Sequence, residues 1–364
     1  SVLSADDPTT PPRMVAPRQP DLEYDVIPGD GWFYILTNRE ARNFQVMRAP
    51  FGAPGAWEPW LTPRADAFVE DVMAFKRHVV VTERRDGLRR LVVHELATGA
   101  AHDVEFPESA YGVFPTSNPE FDTDTLRFMY SSLVTPNSVF DYRMDTRDRE
   151  LKKRDEVLGG YDPSRYAVER TMATARDGTR VQVSMVYRKD LVRDGSRPLL
   201  LYAYGSYGYT LEPTFSSARV SLIDRGVIYA IAHIRGGQEM GRQWYDDGKM
   251  LKKMNTFTDF IDVAEHLVRE RYTAPDRIVA HGGSAGGLLM GVVANLRPDL
   301  FRAIVADVPF VDVINTMLDA SIPLTAQEWL QWGNPQVEAE YRYIRQYSPY
   351  DNVQAQAYPA MLVI

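Results

Sequence analysis

Ser284 lies in the pentapeptide Gly282-Gly283-Ser284-Ala285-Gly286, which reads G-x-S-x-G. An apolar strand candidate, Arg277-Ile278-Val279-Ala280, leads into it, and an apolar helical stretch from Ala285 to about Leu296 leaves it. Strand, tight turn and helix are the context of a nucleophile elbow, which lifts a serine hydroxyl out of a sheet. Glycines at 282 and 286 let strand and helix approach each other. The Ala285 N–H, at the helix start, can donate to an oxyanion, a contact worth about 3 kcal/mol in a transition state. The competing reading is a glycine-rich turn that merely holds a serine; the flanking apolar segments argue against it. An elbow serine needs a histidine base, and chain order in such folds is Ser, acid, His. The six histidines, His78, His94, His102, His233, His266 and His281, all precede Ser284.

Other residues fall where the same chemistry would use them. Tyr204-Gly205-Ser206-Tyr207-Gly208 follows the apolar run Pro198–Tyr204, and residues beyond strand ends face the ligand crevice of an open α/β sheet. A hydroxyl from Tyr204 could serve as a second oxyanion donor, or the loop could simply pack on the core. Arg235 follows another strand and reads as a structural ion-pair partner. His281, only three residues before Ser284, and His233, at a strand end, both read as structural.

Composition limits the alternatives. With 364 residues the chain is long enough for two domains. It has no cysteine, so disulfides, thiolate metal sites and a cysteine nucleophile are excluded, and a reducing, cytoplasmic setting is expected. A formal charge of −8 disfavours nucleic acid as a partner. No apolar run is long enough to span a membrane. No cofactor or metal is expected.

Two rhythms divide the chain. From about 22 to 157 it is strand-rich, with candidates at 32–36, 44–47, 78–81, 91–94 and 125–130. Asp86-Gly87 forms a hairpin signal between two of these strands. The strands group into three units of about 45 residues, the period of four-stranded propeller blades, with a β-sandwich as the alternative on spacing alone. From about 165, strands at 181–187, 198–204, 227–232, 277–280 and 303–306 alternate with helices. One of these is an amphipathic helix at about 255–271 capped by Asn255 or Thr256. Residues 358–364 read as a further buried strand. The alternation predicts a mostly parallel sheet covered by helices.

The longer words of the sequence carry a resemblance. His233-Ile234-Arg235-Gly236-Gly237, Trp244–Lys249, Lys252-Lys253-Met254-Asn255-Thr256-Phe257, the elbow, Pro309–Val313 and Trp332-Gly333-Asn334-Pro335 resemble the prolyl oligopeptidase family of serine peptidases, in its oligopeptidase B branch. The resemblance implies the end of a seven-bladed β-propeller over residues 1–158 (about three blades). It implies an α/β-hydrolase domain over 159–364, and cleavage of short basic peptides after Arg or Lys through an acyl-enzyme. It makes Ser284 the nucleophile, Tyr204 and Ala285 the oxyanion donors, and Tyr207, Glu212 and Glu328 substrate-binding residues.

Three departures accompany it. The family's paired acids before Trp-Gly-Asn-Pro are here Glu328 and Leu330, and the acids after the oxyanion loop are Glu212 and Thr214. Both pockets are therefore expected to keep one carboxylate, with weakened preference for Arg or Lys. The strand at 361–364 should precede the catalytic Asp and His, so both domains are expected to be incomplete. A missing segment would carry those residues, and the chain alone is expected to be nearly inactive. Esterase or acyl-aminoacyl hydrolase activity, or a non-catalytic binding role, remain the competing functions.

Overall fold

A computed structural model describes residues 1–364. The first half forms three four-stranded antiparallel meanders in succession. They are β1–β4 (Tyr24–Pro28, Trp32–Thr37, Gln45–Pro50, Glu58–Leu61), β5–β8 (Ala67–Ala74, His78–Arg85, Leu88–Glu95, Ala101–Asp103) and β9–β12 (Tyr111–Pro115, Thr125–Ser132, Ser138–Arg143, Arg149–Arg154). Side chains alternate across a strand, so a strand of the middle unit serves two cores. On β6, Val79 and Val81 pack with Leu36 and Val46 of the preceding layer, while Val80 packs with Val113, Leu126 and Phe128 of the following one. Sheets stacked in sequence with a core between each pair are propeller blades, not two facing layers of a sandwich. The predicted hairpin joins β6 to β7, with positive φ at Asp86 and Gly87.

The second half is built on a seven-stranded sheet of order β13-β14-β16-β15-β17-β18-β19. Its strands are β13 (Tyr166–Thr174), β14 (Arg180–Arg188), β15 (Leu199–Tyr202), β16 (Ile228–His233), β17 (Ile278–Gly283), β18 (Ala303–Asp307) and β19 (Ala360–Val363). β13, β14 and β16 pair antiparallel; from β16 to β19 every pairing is parallel. Helices α1 (Ser217–Asp224), α2 (Arg242–Asp246), α3 (Met254–Arg269), α4 (Ala285–Leu296), α5 (Val313–Leu318), α6 (Thr325–Trp332) and α7 (Glu338–Ile344) occupy the connections. The largest core joins sheet residues such as Leu201, Ala230, Ala280 and Ile304 to Phe257, Phe260 and Leu267 of α3 and Leu288, Leu289 and Val292 of α4.

Two expectations need correction. The strand at 360–363 is not buried; it is the outermost strand of the sheet, and all four of its residues are exposed. Asn255 and Thr256 do not cap α3. Both lie in its first turn, where Asn255 Nδ2 donates to the Asp247 carbonyl (2.9 Å) and Thr256 Oγ1 to the Arg235 carbonyl (2.8 Å). Their side chains therefore tie down the preceding loops rather than the helix end.

The β6–β7 hairpin docks the blades onto the sheet domain. Arg84, with a side chain only 2% exposed, binds Glu70 of its own blade at 2.8 Å and Glu212 of the other domain. Glu70 loses solvation on burial, but Arg84 and Arg89 outweigh that and hold its carboxyl below the usual range. Arg170 reaches the Asp86 carbonyl (2.6 Å), and Arg42 pairs with Asp246 (2.6 Å).

Candidate active site

The elbow is held from both sides. The Ser284 N–H donates to the Asp307 carbonyl (2.9 Å) and its own carbonyl accepts from Phe310 N–H (3.2 Å), which locks the turn to the end of β18. Ser284 takes φ 55° and ψ −116°, a conformation that costs roughly 1–3 kcal/mol and persists only where its surroundings enforce it. A Cβ on Gly282 would sit 2.4 Å from the Gly286 carbonyl oxygen, and one on Gly286 would sit 2.9 Å from that of Ala203. No other residue type fits at either position. Ser284 is exposed, and Ala285 opens α4 with an N–H that has no intrahelical acceptor.

Tyr204 presents its hydroxyl to Ser284. Burial raises the phenol's pKa, the serine contact opposes this more weakly, and the group stays a proton donor. Tyr207, held at φ 59° in the same loop, donates to Glu328 Oε2 at 2.8 Å. Trp332, one turn further along α6, donates its indole N–H to the same oxygen at 2.6 Å, and its ring meets Tyr207 edge to face at 5.6 Å. Burial and the facing carboxylate both push the Tyr207 phenol up, so it too remains a donor. Two donors thus fix Glu328 through one oxygen and leave Oε1 without a protein partner. The cavity shared by Ser284, Ala285, Tyr207 and Glu328 is about 240 Å³, with an apolar wall from Phe310, Met317, Ile322 and Leu324. An apolar passage ending in one oriented carboxylate suits an alkyl chain with a cationic head.

The sequence-predicted residues divide. Ser284, Ala285, Tyr207 and Glu328 line this cavity, and Tyr204 stands beside it through its contact with Ser284. Glu212 does not: its carboxylate is taken up by Arg84, with Arg89 at 3.6 Å, in the seam between the domains. Thr214 packs beside Gly112 of the blades. Leu330 lies two residues from Glu328 on α6, hence about 200° around the helix. It is 73% exposed and outside the cavity wall, so its departure removes nothing from the lining. Trp332 and the apolar wall carried no assigned role in the sequence; the indole four residues after Glu328 was the available signal.

None of the six histidines hydrogen-bonds to Ser284. His281 turns aside to Asp307 Oδ2 (2.8 Å) and stacks edge-on against Tyr202. His233 is buried against Ser184 Oγ (2.8 Å). Arg235 has the structural role expected of it, with Asp259 at 2.6 Å and Asp177 at 2.6 Å. Among these residues no cluster of acids or histidines could hold a metal. No helix is long and apolar enough to cross a membrane.

Propeller blades joined to a sheet with a nucleophile elbow define the class: a β-propeller linked to an α/β-hydrolase domain. More narrowly, the chain belongs to the prolyl oligopeptidase family. Residues 2–155 match the family's N-terminal β-propeller domain and residues 213–364 match the prolyl oligopeptidase family domain. The chain is 51% identical over 355 residues to dipeptidyl aminopeptidase BI of Pseudoxanthomonas mexicana, covering 96% of this chain and 49% of that protein. It is 40% identical to protease 2 of Moraxella lacunata, covering 100% of this chain and 52% of the relative. The structure of oligopeptidase B from Leishmania major superposes with a TM-score of 0.91 at 44% identity, over 96% of this chain and 50% of that one. The chain thus spans about half the length of the curated relatives it matches.

Proposed function

We propose that these residues carry the nucleophile, the oxyanion donors and the primary specificity pocket of a serine oligopeptidase that cleaves short peptides after Arg or Lys. The observation that supports this most is Glu328, oriented by Tyr207 and Trp332 inside the cavity that Ser284 shares. In this reading Ser284 Oγ attacks the scissile carbonyl as its proton passes to a histidine supplied from outside residues 1–364. The tetrahedral oxyanion accepts hydrogen bonds from the Ala285 N–H and the Tyr204 hydroxyl. Collapse expels the leaving amine and forms the acyl-enzyme, which water then hydrolyses. The substrate's cationic head pairs with Glu328 Oε1 while its methylenes lie along Phe310 and Met317. Glu212, already neutralised by arginines, belongs to the domain seam in this account.

Reporter peptides with Arg, Lys or Phe before the scissile bond test the proposal on the full-length polypeptide. A charge-assisted pair in a partly enclosed pocket is worth roughly 1.5–3 kcal/mol, so the basic reporters should turn over at least about tenfold faster. Equal kcat/KM for all three would refute it. The relative named a dipeptidyl aminopeptidase favours a second reading, release of amino-terminal dipeptides. Blocking the reporter's amino group separates the two, because only dipeptide release needs it free. The position of Leu330 adds a prediction. Leu330→Glu places a charge on the far side of α6 and should change basic selectivity less than about fivefold, the scale of an exposed charge. A larger gain would mean that position 330 reaches the bound side chain.

A further inference from the structure

Lys253 is fully buried, at 0% exposure, between the loop that precedes α3 and the Tyr204–Tyr207 turn. Its Nζ donates to the Gly205 carbonyl (2.6 Å) and to Ser206 Oγ (2.8 Å), and it lies 5.1 Å from the centre of the Trp332 ring. No carboxylate lies within ion-pair distance of it, unlike the other buried cations, Arg84 and Arg235. An unpaired ammonium is costly to bury, and a methionine of similar length would pack there without that cost. Its contacts therefore need another explanation, and they are specific. Gly205 and Ser206 are the two residues between Tyr204, whose hydroxyl faces Ser284, and Tyr207, whose hydroxyl holds Glu328. Trp332, beneath which the lysine sits, is the second group that orients Glu328. Gly205 also has φ +71°, and a Cβ there would strike Thr256 and Ile234 at 2.6 and 2.7 Å, so the turn has little room to find another course.

We propose that Lys253 is a positioning residue for the oxyanion loop: by gripping Gly205 and Ser206 from below it sets the Tyr204 hydroxyl over the scissile carbonyl. The inference rests on the reading of Tyr204 as an oxyanion donor and adds a residue that touches no substrate. Burial with no acid opposite lowers the ammonium to about 7. A neutral amine still has two N–H groups for two acceptors, so the grip holds in either protonation state.

A double-mutant cycle on the full-length protein tests this, with kcat and KM measured on an Arg reporter and folding followed by thermal melting. Lys253→Met should lower kcat about 30- to 100-fold with KM changed far less, because a misplaced oxyanion donor is lost mainly to the transition state. In a Tyr204→Phe background the same substitution should cost no more than about threefold, since its target is gone. Multiplying losses, or a folded Lys253→Met enzyme with the parent's kcat, would overturn the proposal. Should that variant not fold, Ser206→Ala removes one of the two acceptors. It should lower kcat about fivefold, again only while Tyr204 is present; an unchanged kcat, or a loss that persists in Tyr204→Phe, overturns the proposal equally. Failure of the underlying reading looks different: Tyr204→Phe alone would leave kcat unaltered, or the parent protein would hydrolyse no reporter, and both proposals would fall.

Discussion

Ser284→Ala is expected to lower kcat on an Arg reporter by about 10⁶-fold, the scale of losing a serine nucleophile, and to leave the remaining activity insensitive to serine-directed reagents. A residue of about 10³–10⁴ over the uncatalysed rate should survive, since the Ala285 N–H and the Tyr204 hydroxyl still stabilise an oxyanion formed by water. The fold should hardly notice. The bonds that pin the elbow, to the Asp307 carbonyl and from Phe310 N–H, use the backbone of residue 284, which alanine retains. The φ of 55° is equally strained for either residue. The melting transition should therefore move by no more than about 0.5 kcal/mol, the range of an exposed substitution. A fluorophosphonate should label the parent protein stoichiometrically and the variant not at all. Labelling that persists in the variant would place the nucleophile elsewhere. Ser184 is the nearest imitation, since it contacts His233 at 2.8 Å, but both residues are buried beyond the reach of a substrate.

The sequence shows plainly only what is local in the chain. The elbow combines a glycine requirement, a preceding strand and a following helix within about twenty residues, and each is enforced by steric contact over that short span. The strands of the blades were legible as short apolar runs and through a hairpin whose Asp86-Gly87 turn needs positive φ, while spacing alone left a sandwich open. β13 was missed because its central residues, Glu169 and Arg170, interrupt the apolar pattern, and its place comes from pairing with β14. The pairing of Glu212 was hidden for the same reason: its partner Arg84 is 128 residues away, and no local spacing reveals that a carboxylate is already paired. Leu330 shows a different limit. Treating Glu328 and Leu330 as a pair two residues apart suits a strand, whose side chains two apart share a face, but the segment is α6 and the helix turns them apart. Lys253 stood in one of the resembling words but had no role of its own, because a lysine beside a loop reads as solvated until packing covers it.

Glu328→Gln should separate charge from shape at the far end of the cavity. The carboxylate accepts two hydrogen bonds at one oxygen, from the Tyr207 hydroxyl and the Trp332 indole. A glutamine carbonyl can accept both, so the side chain should keep its direction and the wall its form. What disappears is the negative charge at the other oxygen, replaced by an amide N–H₂ that faces the substrate's cation as a donor. Truncating one partner of an enclosed, hydrogen-bonded charge pair costs roughly 2–5 kcal/mol, much of it from the charge left unpaired. The kcat/KM for Arg and Lys reporters should therefore fall by about 10²-fold or more. A Phe reporter makes no use of the charge and should be cleaved as before, so the selectivity ratio should fall by the same factor. The loss should be greatest for Arg, whose planar fork can engage a carboxylate oxygen with two N–H groups where an ammonium offers a point charge. Equal losses on Arg and Phe would mean that Glu328 acts by holding Tyr207 and the oxyanion loop in place. An unchanged ratio with unchanged rates would remove Glu328 from substrate recognition altogether.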